Sequence, residues 1–284
     1  MRYENPKIPE GINVSKSHPL IDFGGLLVAV AGIFLMLMGS LYFLSGWLLP
    51  FVPFSMERTI LSSYEGQTFF AGQLTDEEQE VQHYLQSLAD GLTAHRGLPE
   101  GITLTVHYSD SEQKNAFATL GGNILVHRGL LQTVESENGL AMVLAHEIGH
   151  IVQRDPLMTL GRGAVSVGAL ALLSGFSQTS VANTIFGLST ESLLFSFSRD
   201  QEREADAYAL TLLTHYYGHQ LGADEFFIHL QTMGADAFGD NQLTEFFSTH
   251  PAAQERIQQI QDSIASDQGQ EIFELSALPD FVIE

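Results

Sequence analysis

From Phe23 to Met56 the chain carries no charged residue, and the stretch GGLLVAVAGIFLMLMGSLYFLSGWLLPFVPF within that run is almost wholly apolar. An α-helix crosses a bilayer with about 20 such residues. The run is longer than that, and it is hydrophobic on every face rather than along one stripe. It also starts too far from the N-terminus, and runs too long, for an ordinary cleaved signal peptide. Tyr42 and Trp47 fall near its C-terminal end, where aromatic rings favour the water–lipid boundary. One transmembrane helix over residues 23–53 is expected, after an irregular polar tail over 1–22. Arg2, Lys7 and Lys16 precede the run and only Arg58 follows closely. The positive-inside tendency then leaves the N-terminus in the cytoplasm and the rest of the chain outside it, in the periplasm of a Gram-negative cell.

The 284 residues leave room for one globular domain beyond the anchor. A domain of roughly 200 residues buries a sufficient core without staples. There is no cysteine, which excludes disulfides and thiolate metal sites, so a metal would have to be held by His, Asp or Glu. The formal net charge is -22. Three bases and three acids precede the apolar run, so the whole excess belongs to the remainder. A surface of that sign repels nucleic acid and anionic lipid head groups, and no nucleic-acid partner is expected.

The pattern after the anchor is helix, small sheet, then helices, an α+β domain over 57–265 followed by an acidic, weakly patterned tail over 266–284. Thr75 to Glu78 reads as a capping box, and Val81, Tyr84, Leu85, Leu88 and Leu92 recur at helical spacing. Ile102 to Tyr108 alternates as a strand, and Asn123 to His127 reads as a second short strand. Leu140 to Val152 reads as a buried helix, and Arg199 to Tyr216 as a helix closed by Gly218. A further helix starts at Pro251. Gly163 to Thr190 is charge-free but too short for two crossings, which need about 40 residues and a turn. One crossing would separate residues that the site below needs together. A helical hairpin packed on the domain, or dipping into the interface, is expected there.

His146-Glu147-Ile148-Gly149-His150 is an HExxH motif on the buried helix. Residues i and i+4 share a face, so two imidazoles can grip one zinc. Glu147 is turned about 100° away, where it flanks the metal and can take a proton from water. A catalytic zinc takes three protein ligands and an open position. No histidine follows at the spacing of the longer HExxHxxGxxH motif. Ser198-Arg-Asp-Gln-Glu-Arg-Glu-Ala-Asp206 offers Glu202 and Asp206 on one helical face, with Glu204 pointing elsewhere. Glu202 as third ligand, with Asp206 orienting a ligand histidine, competes with a plain solvated charge run.

These residues occur in an order that resembles metallopeptidase family forty-eight, which includes the CAAX prenyl protease: Asn115-Ala-Phe-Ala, Gly121 to Leu131, HEIGH, SRDQEREAD, then Thr249-His250-Pro251 to Ile257. The resemblance covers roughly residues 70 to 262. It implies a gluzincin-like fold, one zinc, His146, His150 and Glu202 as ligands, Asp206 as a supporting or proton-donating group, and His250 near the metal. It also implies polypeptide substrates, with a role in quality control of membrane or envelope proteins. His250, Tyr208 and Arg256 are the candidates to face the oxyanion. An extended substrate is expected to add to a sheet edge, for which the strand Asn123 to His127 is the candidate, with His127 and Arg128 as ordinary strand-end residues. Gly139 departs from the family, standing where a glutamate is common. The alternative function is a zinc-stabilised chaperone or assembly factor with little proteolysis.

Overall fold

The computed structural model describes residues 18–62, 74–174, 197–236, 250, 253–267 and 274–283. Helix α1 (Pro19–Leu48) is capped by His18, whose ring accepts from the Leu20 amide. With the 3-10 turn that follows, it forms one element, Pro19–Phe51, long and apolar enough to cross a membrane, and its apolar window buries nothing against the protein. Such a helix would meet lipid where a core helix meets protein. A short helix α2 (Phe54–Ser62) then turns the chain into the domain.

Helix α3 (Asp76–Ala94) opens on the expected capping box: the Glu78 amide donates to Thr75 Oγ1 and the Thr75 amide to Glu78 Oε2. Three strands follow: β1 (Thr105–Ser109), β2 (Ala116–Thr119) and β3 (Asn123–His127). Their order is β1-β3-β2, with β1 parallel and β2 antiparallel to β3. Asn123 to His127 is therefore the central strand and cannot take a substrate strand. Its hydrogen bonds are used on both sides, and the edges are β1 and β2. The β1 edge is itself occupied, because its Val106 and Tyr108 amides donate to the Gln86 and Gln82 side chains of α3 at 2.8 and 3.0 Å. The β2–β3 turn uses glycine of necessity: Gly122 has φ +83, and a Cβ there would lie 1.9 Å from the Thr103 carbonyl oxygen.

After the short α4 (Arg128–Leu131) comes α5 (Glu137–Gln153), buried from Asn138 to Ile151, with Ser136 as N-cap. Helix α6 (Asp155–Ser174) packs against α1, with the Arg162 guanidinium 5.8 Å from the Tyr42 ring. The first part of the charge-free Gly163 to Thr190 segment is thus the second half of α6; residues 175–190 lie outside the described residues. Helix α7 (Arg199–Tyr217) is capped by Ser198 and closed by Gly218 at φ 80. Helices α8 (Glu225–Asp236) and α9 (Ala253–Asp267) complete the bundle. Pro251, the expected start of α9, lies outside the described residues.

The apolar faces of α3, α5, α7, α9 and the sheet enclose one main core. A small cluster of Phe117, Leu125 and Phe197 lies on the other face of the sheet. Beside Gly139, where the family commonly has a glutamate, a carboxylate comes from another element. Glu225 accepts from the Ser136 amide at 3.0 Å and from its hydroxyl, and a Cβ at Gly139 would lie 2.8 Å from Glu225 Oε1. The chain's end returns to the same helix start. The Glu137 amide donates to the Ser276 carbonyl and the Ser276 amide to Asn138 Oδ1, while Leu278 and Val282 are buried beside and within the last turn, α10 (Asp280–Ile283).

Candidate metal centre

Helix α5 sets His146 and His150 one turn apart, with their Nε2 atoms 3.0 Å from each other. Helix α7 crosses beneath. Gly149 permits the close approach, since a Cβ there would stand 3.0 Å from Ala205 Cα. That contact delivers Glu202, whose carboxylate oxygens lie 3.5 Å from His146 Nε2 and 3.7 Å from His150 Nε2. His250 adds a fourth donor: its Nδ1 is 3.0 Å from Glu202 Oε1 and 3.4 Å from His146 Nε2. All four residues are buried, with donor atoms within 4.8 Å of one another.

These spacings fit a zinc ion. Ligand bonds of about 2.0–2.1 Å in a tetrahedron place donor atoms about 3.3–3.4 Å apart. Two imidazole nitrogens facing each other at 3.0 Å, with a carboxylate beside both, are a donor set converging on a cation rather than a hydrogen-bonded core. The absence of cysteine is consistent with this set, which is all nitrogen and oxygen.

Behind each histidine sits a buried carboxylate. Asp206 Oδ1 lies 2.9 Å from His146 Nδ1 and Asp155 Oδ2 lies 2.8 Å from His150 Nδ1. Each contact fixes a tautomer and turns Nε2 toward the common centre. Asp206 is held in turn by Arg256, which donates to its two oxygens at 2.7 Å each and also pairs with Glu202. Burial opposes the charge on Glu202 and Asp206. His250, His146 and Arg256 overcome it at Glu202, which is pushed far below the carboxylate range. Arg256 and His146 do so at Asp206, which falls to about 2. Burial and the neighbouring His146 push His150 down to about 3, whereas at His146 the Asp206 and Glu202 carboxylates overcome burial and raise it to about 9. Asp155 is raised to about 6 by burial.

Glu147 is buried and turned off the donor cluster. Its Oε2 accepts from the Ala118 amide of β2 at 2.7 Å, and its Oε1 is 3.7 Å from His250 Nε2. The β2 edge therefore runs directly beside this carboxylate. Phe197 stacks on the His150 ring at 3.9 Å and joins Phe117 and Leu125 to form an apolar wall on that side. The structure thus brings together His146, Glu147, His150, Glu202, Asp206 and His250. Of the oxyanion candidates, Arg256 is at the cluster, whereas Tyr208 is half-buried elsewhere, its ring 5.0 Å from the Arg96 guanidinium. Glu204 is exposed on α7. Sequence reasoning missed Asp155. Its signal was an aspartate five residues after His150, at the first turn of the next helix. Arg128 is a surface residue paired with Asp110. His127 ends β3 as expected but is buried there, 3% exposed, and neither ring nitrogen is hydrogen-bonded among the described residues.

An HExxH helix crossed by a glutamate-bearing helix, with a small sheet laid along it, is the frame of a gluzincin-type metallopeptidase domain, and this fold is of that class. The class narrows with the sequence: residues 76–264 match Peptidase family M48, and the chain belongs to that family. It is 32% identical over 170 residues to the mitochondrial metalloendopeptidase OMA1 of Arabidopsis thaliana, covering 60% of this chain and 33% of that protein. It is 31% identical over 160 residues to the metalloprotease LoiP of Escherichia coli (strain K12), covering 54% of this chain and 60% of that one. The beta-barrel assembly-enhancing protease of the same strain is 28% identical over 191 residues, covering 61% of this chain and 37% of that protein. The chain thus spans between a third and three-fifths of the length of these relatives.

Proposed function

We propose that this chain is a membrane-anchored zinc endopeptidase that hydrolyses peptide bonds of polypeptides, with His146, His150 and Glu202 as the ligands and Glu147 as the general base. Zinc held there would supply Lewis acidity, polarising a peptide carbonyl and acidifying water. Glu147 takes the proton of that water and passes it to the leaving amine, while Asp206, held ionised by Arg256, orients His146. The observation that carries this reading is the seat of Glu147: buried, beside four converging donors, and hydrogen-bonded to the outer edge of β2. An extended peptide added to that edge runs past the carboxylate, and main-chain pairing gives broad sequence tolerance. Elemental analysis and cleavage of an unfolded polypeptide test it together. Glu147→Gln is expected to keep one zinc per chain and to lose cleavage; cleavage at the wild-type rate excludes Glu147 as the base.

His250 acts at the zinc in this reading, as a reversible fourth ligand that closes the site or as the oxyanion donor. Its Nδ1 position among the donors favours the closing role. His250→Ala with zinc retained and cleavage raised marks a closing ligand. A fall of roughly 100-fold in turnover marks the oxyanion donor, the usual loss for one such group. The chaperone alternative has no use for Glu147 and is not favoured.

The chain is organised as a tail, an anchor and a peptidase domain, with the N-terminus cytoplasmic and the domain outside. Three bases before the apolar run and one after it support that orientation. A relative named a beta-barrel assembly-enhancing protease supports a role in quality control of envelope proteins.

A further inference from the structure

The segment that leaves the anchor reaches the end of the metal helix at Arg154. Helix α5 ends on Arg154, its C-cap, at φ 66 and ψ 25. Among the described residues Arg154 is the only non-glycine with positive φ. Glycine is the residue usual at such a helix end, because a side chain is strained there. An arginine in that place has a backbone cost that its side chain must offset.

Among the described residues, the partners of its guanidinium lie in the segment that leaves the anchor. Nε pairs with Glu57 Oε1 of α2, Nη2 donates to the Val52 carbonyl at 2.7 Å, and the group stands 5.5 Å from the centre of the Phe54 ring. Glu57 is 3% exposed, so it is not a solvated surface acid. Its other oxygen accepts from the Gly121 amide at 3.1 Å, in the turn that joins β2 to β3. One buried carboxylate therefore grips both the end of the metal helix and the hairpin that carries the β2 edge.

The next residue after Arg154 is Asp155, which is buried and holds His150 Nδ1 at 2.8 Å. Asp155 also starts α6, which packs back on α1. A Cβ at Gly161 would lie 2.1 Å from Leu49 Cδ1, so the two helices are in close contact there. The anchor thus bears on residues 154–162 from two sides, through Glu57 and through α1 itself.

We propose that Glu57 and Arg154 form a clasp through which the membrane anchor positions Asp155, and through it His150, together with the β2 edge. Both are positioning residues. The anchor is then a working part of the metal centre, and a shift of α2 relative to the domain changes zinc affinity and turnover together. This rests on the reading of His146, His150 and Glu202 as a catalytic zinc site.

The test uses the full chain in detergent or proteoliposomes, with zinc as the probe. The informative variant is the double change Glu57→Gln and Arg154→Gly. It leaves no buried unpaired charge, and glycine suits the left-handed cap, so the helix end keeps its conformation. Three quantities are measured: the zinc dissociation constant by chelator competition, kcat on an unfolded polypeptide, and the melting temperature of the metal-free protein. Zinc is expected to bind about tenfold more weakly, the lower end of what the loss of a residue supporting a ligand costs. The kcat should fall with it, while the metal-free melting temperature stays close to that of the wild type. Glu204→Gln, exposed on the same helix as Glu202, should change none of the three. Zinc affinity and kcat at wild-type values in the folded double variant overturn the clasp. A lower melting temperature with unchanged zinc affinity overturns it as well, leaving only a structural ion pair. If the double variant does not fold, Glu57→Gln alone carries the same expectation in smaller measure, and wild-type zinc affinity there is equally fatal. A wild type that binds no zinc overturns the reading of the site itself; a wild type that binds zinc beside unaffected variants overturns only the clasp.

Discussion

Asp155 and Asp206 do the same work for two different histidines, and they reach the site by different routes. Asp206 shares a helical face with Glu202, so its place behind His146 follows from a spacing of four. Asp155 sits past the left-handed end of α5, and only the turn at Arg154 brings it back under His150. Both carboxylates orient ligand rings, so Asp155→Asn is expected to weaken zinc binding by about 10- to 100-fold while leaving a folded protein. Chelator competition measures it. His146→Ala, His150→Ala and Glu202→Ala should each strip the metal, read as zinc per chain, whereas Glu204→Ala should be silent. Zinc retained in Glu202→Ala would remove that residue from the ligand set. His127 gives a pH prediction. Burial lowers it to about 4 from an ordinary value near 6.5, so it is neutral in the fold. Between those values the unfolded chain binds the proton and the folded one does not, so stability rises with pH. The contribution is complete above about 6.5 and is lost as pH falls toward 4. Replacing His127 by Gln should flatten the pH dependence of the urea midpoint in that window. An unchanged slope would place the acid sensitivity elsewhere.

At the level of elements, the sheet has one edge that is spoken for and one that borders the metal. Gln82 and Gln86 of α3 occupy the β1 amides, which also protects that edge from pairing with another chain. β2 is the other edge, and there the Ala118 amide is taken up by Glu147. Ala118→Pro removes that donor. The expected result is loss of most cleavage with zinc retained, assayed as for Glu147→Gln. Full activity would mean that the amide neither seats Glu147 nor borders the peptide. Ser198 caps α7 one turn before Glu202, through a hydrogen bond from the Gln201 amide. Ser198→Ala should cost about 1 kcal/mol of stability by denaturant titration.

For the whole molecule, the last described segment closes on the metal helix from outside. Ser276 pairs with the first turn of α5, and Leu278 and Val282 are buried nearby. Each buried aliphatic side chain of this kind contributes about 1.5–3 kcal/mol. Removing residues 274–284 should therefore lower the melting temperature clearly, although the segment lies away from the donors. An unchanged melting temperature would show that these contacts add nothing to the domain. Membrane topology is tested by reporter fusions after residue 60 and after residue 284, both expected to read outside the cytoplasm. Opposite readings at the two sites would mean that the chain crosses again between α5 and α7; two cytoplasmic readings would reverse the orientation alone.

Periodicity and local chemistry made part of this protein legible from its residues. The charge-free run from Phe23 marks an element that lipid would solvate, the Thr75 and Ser198 caps mark where helices start, and HExxH at i and i+4 marks one face of a helix. Each is a property of a few neighbouring residues, so no partner from elsewhere is needed to read it. The resemblance to a metallopeptidase family added Glu202 and His250, which local spacing alone left open. What remained depends on contacts between residues far apart in the chain. The central place of β3 depends on which strand pairs with which, and two short strands cannot declare that. The carboxylate from Glu225 at Gly139 joins positions 86 residues apart, and the docking of Ser276 on α5 joins positions still farther apart. Asp155 behind His150 depends on a backbone conformation that an arginine rarely adopts. The pairing of Glu57 with Arg154 was invisible in sequence for the same reason. Each looks like an ordinary surface charge until tertiary packing buries Glu57 and partly covers Arg154, and the buried carboxylate is what turns a common ion pair into a specific one.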